Sequence, residues 1–214
     1  MQLYFAPLAC SLATRISLFE AGAAADFIEV ELKHKRTLDG ADFFAINPMG
    51  QVPVLRTDAG DLVSENGVVL QYVADQHAAS GLAPAAGTLA RVRLQQWLSF
   101  IGTELHKGVF AALLDPTSDD GAKAYARTKV GQRLAHLDGH LTGRDFLLDD
   151  GFTVADAYLT TVLIWGAVTG IQLGDYPALQ AYHRRMLERP SVKQAIAIER
   201  PLYLAEQARD RAST

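Results

Sequence analysis

The chain has one cysteine, at position 10, so no disulfide can form within it, and a reducing cytoplasm is the compartment that fits. No apolar run approaches the ~20 residues of a membrane-spanning helix. Met1 leads directly into Gln2-Leu3-Tyr4-Phe5, a strand pattern rather than a basic-then-apolar export signal. Positive charge is not in excess. A net charge of −4 and a pI near 5.8 argue against a nucleic-acid or membrane-surface binder. Internal repeats and low-complexity tracts are also missing. What remains is ordinary for a soluble globular chain: 214 residues, 49% apolar and 21% charged, enough for one large or two small domains.

The first 80 residues alternate strand and helix signals. Residues 2–5 form a short apolar strand that Pro7 ends. From Cys10 to Ala21 the positions Leu12, Ile16, Leu18 and Phe19 recur at helical spacing, with Gly22 at the stop. Phe27 to Leu32 alternates apolar and acidic residues, as a half-buried strand does. A short helix is expected over 39–46. Val52–Leu55 and Asp61–Val63 flank the hairpin turn Asp58-Ala59-Gly60, and a helix follows from Ser64 to about Ser80. Residues 81–87 are turn formers without periodicity, hence a linker. Beyond it only helices are expected, over roughly 88–114, 120–142, 154–170, 176–188 and 191–206, with fraying from Arg209. Thr153-Val154-Ala155-Asp156 has the pattern of a capping box, worth about 1 kcal/mol, with Phe152 placed as a hydrophobic staple. The fold class is therefore α/β plus all-α: an α/β domain over 1–80, a linker over 81–87 and a helical bundle over 88–214.

Two motifs carry ligand chemistry. In Asn47-Pro48-Met49-Gly50-Gln51-Val52-Pro53-Val54-Leu55, a proline opens an apolar strand after a Gly-containing turn, a place for a cis X-Pro bond. Such a bond would leave the N–H and C=O of Val52 facing out, free to pair with an extended peptide. Ser64-Glu65-Asn66-Gly67 puts one acid and several backbone N–H groups at a helix N-terminus, a site for a small carboxylate. Together they describe a small acidic peptide as ligand.

Other candidates have plainer rivals. Cys10, at the first turn of a helix, is placed to be a thiolate, although most lone cysteines are simply buried. Ser11 either donates to a bound sulfur or caps the helix, and Tyr4 reads as a strand residue. Ser99, Thr103, His106 and Phe110 share a helical face through steps of four, three and four, and a polar stripe of this kind suits the lining of a cleft. A surface histidine is the plain alternative. Within Lys33-His34-Lys35-Arg36, one ammonium could meet a ligand carboxylate while the other charges stay solvated. His136 and His140 have the spacing of a metal pair, but no third ligand lies near them in sequence, so no metal is expected and the pair reads as solvated.

Pro7-x-x-Cys10-Ser11, Asn47 to Leu55, Ser64 to Gly67, the box from Phe152 to Leu159, and Tyr176-Pro177 with Arg189-Pro190-Ser191-Val192 jointly resemble the glutathione S-transferases. Cys10-Ser11 with Glu104-Leu105-His106-Lys107-Gly108 is similar to the bacterial beta class. The resemblance spans nearly the whole chain. It implies a thioredoxin-like N-terminal domain, a C-terminal helical domain, a homodimer, glutathione as co-substrate and a role in detoxification. Carried over, Val52 and Pro53, with Gln51 beside them, would hold the cysteinyl part of glutathione. Glu65 and Asn66 would hold the γ-glutamyl head, and Lys35 the glycyl carboxylate. Glu104 and Lys107 would reach glutathione bound by a second copy. Cys10, Ser11 and His106 would face the sulfur. Leu8, Ser99, Thr103, Phe110, Leu113, Leu114 and Trp165 would line a pocket for a small apolar electrophile. Position 66 is Asn where the wider family usually has Ser, and position 99 is Ser where some relatives have Asn. Thiol–disulfide exchange through Cys10 and non-catalytic carriage of apolar ligands are the rival activities.

Overall fold

The computed structural model describes residues 1–149 and 151–212. Its chain divides into two compact units. One takes Met1–Leu82 together with the chain from Pro190 onward, and the other takes Ala83–Arg189.

The first unit is built on five strands: β1 (Gln2–Phe5), β2 (Asp26–Glu31), β3 (Arg36–Thr37), β4 (Val54–Arg56) and β5 (Leu62–Ser64). They lie in the order β3-β2-β1-β4-β5, with β1 parallel to β2 and every other pairing antiparallel. Successive strand residues face opposite sides of a sheet. Leu3 and Phe5 accordingly pack with Leu18 of helix α1 (Leu12–Glu20) and with Val69 and Val73 of α2 (Asn66–Gln76). Tyr4 packs on the other side with Val30, Phe43 and Val54. The short helix expected over 39–46 is a single 3-10 turn, Phe43–Ala45, and β3 had no periodic signal at two residues. The Val52-Pro53 peptide is cis.

The last helix, α9 (Pro190–Ala212), was grouped by sequence with the helical domain, yet it belongs to the first unit. There Leu202 packs on the sheet's core, and Glu199 on α9 accepts from Arg15 Nε on α1 at 2.6 Å in a buried ion pair. Arg209, where fraying was expected, is helical and pairs with Glu29 and Glu31 of β2, while residues 213–214 lie outside the described residues.

The second unit holds α3 (Leu89–Phe100), α4 (Ala111–Leu114), α5 (Asp120–Leu141), α6 (Val154–Ile164), α7 (Gly166–Thr169) and α8 (Pro177–Glu188). The single helix expected over 88–114 is interrupted by a π-helical stretch, Ile101–Phe110. Its wider turn brings the Thr103 carbonyl to 2.7 Å from where a Cβ on residue 108 would stand, so glycine is required there. The helix expected over 154–170 breaks at Trp165. A Cβ on Gly166 would stand 2.9 Å from the Ile171 carbonyl oxygen, a chain approach that only glycine allows. The capping box at Thr153 and Asp156 is formed.

Candidate active site

In the α/β unit Cys10, just before α1, meets the Val52-Pro53 segment. Cys10 is 8% exposed, and its thiol donates to the Val52 carbonyl at 3.2 Å. No partner for the Val52 N–H is found among the described residues. Ser11 is wholly buried; its hydroxyl donates to the Ala6 carbonyl and accepts from the Ala6 amide, both at 3.2 Å. The expectation that Ser11 addresses a bound sulfur is therefore corrected, because the hydroxyl's one proton already goes to Ala6.

At the N-terminus of α2 two features stand together. Glu65 is exposed and has φ 67° and ψ 116°, a left-handed backbone that costs a side-chain-bearing residue about 1–3 kcal/mol. Beside it Asn66 is 7% exposed, and among the described residues neither its amide nitrogen nor its amide oxygen has a hydrogen-bond partner. Buried amides are rarely left unsatisfied. Such a pair offers one anion, one donor and one acceptor, with the positive helix end beneath them. Lys35 is half-buried, and its ammonium donates to the Gly50 carbonyl at 2.9 Å; Gln51, exposed, has its own carbonyl held by the Asn47 amide.

In the helical unit His106, Phe110 and Trp165 come together, with Tyr158 as a member the sequence did not flag. His106 Nδ1 lies 2.8 Å from the Tyr158 hydroxyl, and its ring meets Trp165 edge to face at 4.9 Å. Phe110 is buried against Trp165 at 5.7 Å. The rest of the expected stripe is not in this cluster. Ser99 and Thr103 are exposed, and the Thr103 hydroxyl donates to the Ser99 carbonyl. Leu114 is also exposed, and Leu113 is half-buried. Leu8, in the other unit, is half-buried. Glu104 is half-buried and ion-paired to Arg133 of α5, a partner no local motif announces, while Lys107 is exposed. Of the two histidines expected to be solvated, His136 is exposed as expected, with its ring 5.6 Å from Trp97, whereas His140 is half-buried, 4.5 Å from Trp97, and its Nε2 donates to the Leu147 carbonyl, which corrects that half of the expectation.

Burial, with help from the neighbouring Lys107 charge, lowers the His106 pKa from 6.5 to about 4. The imidazole is neutral at pH 7 and suited to exchange a hydrogen bond rather than to supply a charge. As pH falls below 6.5 the unfolded chain takes up this proton before the folded one does, so stability drops down to about pH 4. In an NMR titration the His106 ring proton should show a midpoint near 4; a midpoint near 6.5 would contradict its burial.

A mixed sheet with the β-α-β…β-β-α order and a cysteine at the start of its first helix defines a thioredoxin-like unit, here joined to an all-helical one. Residues 1–75 match the glutathione S-transferase N-terminal domain family and residues 100–190 the glutathione S-transferase C-terminal domain family. The chain belongs to the glutathione S-transferase family. It is 37% identical to glutathione S-transferase GstA of Escherichia coli O157:H7 over 199 residues, 93% of this chain and 98% of that protein. Among solved structures, a sphingomonad glutathione S-transferase complexed with glutathione is 46% identical with a TM-score of 0.88, covering 93% of this chain and 98% of that one. The bacterial beta-class enzyme of Sphingomonas chungbukensis is 44% identical with a TM-score of 0.89, over the same shares.

Proposed function

We propose that the protein is a glutathione transferase that joins the glutathione thiolate to small apolar electrophiles. The observation that carries this reading is the buried Asn66 amide, without a partner among the described residues, beside Glu65 at the start of α2. An amino-acid head group carries an ammonium and a carboxylate on one carbon. The Glu65 carboxylate and Asn66 Oδ1 suit the ammonium, and Asn66 Nδ2 with the helix N-terminus suits the carboxylate. The Val52 N–H suits the carbonyl of an extended cysteinyl residue, as in strand addition. Lys35, whose ammonium reaches the Gly50 carbonyl just before Gln51 and Val52, suits the glycyl carboxylate.

Free thiols of this kind ionise near 8.5, so at pH 7 only a few per cent is thiolate, and lowering that value by about two units takes roughly 2.7 kcal/mol of differential stabilisation. The positive end of α1 is one source of it. The aromatic cluster of Phe110, Trp165 and His106 gives the acceptor side its apolar character. Cys10 is buried and its thiol donates to the Val52 carbonyl, which favours conjugation over disulfide exchange through this thiol. A homodimer and a cytoplasmic location belong to the same reading.

Calorimetry with glutathione and an aryl-halide conjugation assay test it. Binding with turnover is expected. His106→Ala should lower turnover more than glutathione affinity. Absence of heat at millimolar glutathione would sink the proposal.

A further inference from the structure

Glu199 is fully buried on α9, and its two oxygens serve different groups. Oε1 accepts from Arg15 Nε at 2.6 Å, and Oε2 accepts from the backbone N–H of Leu8 at 2.7 Å. The Arg15 guanidinium in turn lies over the rings of Phe5 and Phe27, at 4.4 and 3.7 Å. Stability alone is a poor reason for this arrangement, since buried ion pairs often stabilise no better than apolar residues of the same size. Burial pushes the Glu199 carboxyl up to about 7 against the pull of Arg15, so a charged group there works against its own solvation.

The Leu8 contact supplies another reason. Leu8 has φ 57°, a left-handed conformation that a leucine does not adopt without restraint. It stands two residues before Cys10, whose thiol meets Val52. On its other side Ala6 is clamped by the Ser11 hydroxyl.

We propose that Glu199 is a positioning residue for the thiol-bearing loop, holding the Leu8 turn through its amide and thereby the placement of Cys10 against Val52. The proposal rests on the glutathione reading in one respect: Val52 is where that reading puts the cysteinyl residue. No electron or group transfer is involved, and Glu199 itself touches no reacting atom.

Three variants separate this role from a structural one. Arg15→Met removes the cation and leaves Leu8 its acceptor. Arg15→Met with Glu199→Met removes both charges, leaves no buried ion unpaired and takes the acceptor from Leu8. Arg15→Met with Glu199→Gln returns an uncharged acceptor. At a temperature well below each melting point, alkylation of Cys10 by iodoacetamide should be about tenfold faster in the Met/Met variant, the equivalent of one hydrogen bond. Its KM for glutathione should rise by about the same factor with kcat changed less. Arg15→Met and the Met/Gln variant should both stay within roughly twofold of the parent, below the tenfold that one hydrogen bond represents. The idea is overturned if the Met/Met variant reacts as the parent does, or if Arg15→Met alone reproduces the change. Should Met/Met not fold, hydrogen exchange in the parent decides: a Leu8 amide exchanging as fast as an open loop refutes the anchor, and a slow one upholds it. A parent that alkylates as expected but never binds glutathione would refute the proposed function and leave the anchor standing.

Discussion

Asp156→Ala is expected to lower the unfolding free energy by about 3–5 kcal/mol, the scale of a buried polar network opened at its centre. Asp156 is 0% exposed, and its carboxylate takes four hydrogen bonds. Oδ1 accepts from the Leu147 amide at 2.9 Å and the Tyr182 hydroxyl at 3.0 Å. Oδ2 accepts from the amide and the hydroxyl of Thr153, both at 2.9 Å. Alanine leaves these donors buried without an acceptor, each costing about 1–3 kcal/mol, and the sum is reduced because a desolvated charge also disappears. Desolvation is the main reason the Asp156 pKa lies above its ordinary value. A fall in Tm of roughly 6–20 °C follows for a chain of this size. Tyr182→Phe removes one of the four bonds and should cost about 1 kcal/mol, so the ratio between the two variants tests the network rather than either residue. Thermal unfolding of an Asp156→Ala protein within 1 kcal/mol of the parent would show that the donors find other partners.

That network also shows how far a sequence can be followed. Local spacing announced the capping box, because Thr153 and Asp156 lie three apart before an apolar run. It could not announce Tyr182 or Leu147, which reach the same carboxylate from other segments of the chain. The candidate site residues divide in the same way. Cys10, Val52-Pro53 and Glu65-Asn66 were legible because turn chemistry and helix-start chemistry are local, and the structure puts them at the ends of the elements expected. The stripe of Ser99, Thr103, His106 and Phe110 was drawn with α-helical steps. The π-helical turn over Ile101–Phe110 breaks that register, so His106 and Phe110 meet Trp165 while Ser99 and Thr103 remain at the surface. Gly108 was the available signal, since a glycine inside a helical run marks a close backbone approach. Arg15 was a second one. A guanidinium within an otherwise buried helix requires an acid, and Glu199 supplies it from 184 residues away.

Glu65→Gly should separate binding from stability. The parent residue holds φ 67° and ψ 116° with a Cβ, and glycine relieves that strain, worth about 1–3 kcal/mol against an entropic penalty of about 0.5–1 kcal/mol for glycine itself. The variant should therefore melt no lower than the parent. If Glu65 takes the γ-glutamyl ammonium, the same change removes a charge-assisted hydrogen bond of about 1.5–3 kcal/mol, so glutathione should bind roughly 10–100-fold more weakly. Glu65→Gln supplies the control, since it keeps the strained backbone and loses only the charge: affinity should fall while the melting point stays put. Opposite signs for stability and affinity at one position are what a residue held in an unfavourable conformation for its ligand must show. If Glu65→Gly binds glutathione within twofold of the parent by calorimetry, the head group is held elsewhere, and the left-handed turn at the start of α2 belongs to the fold alone.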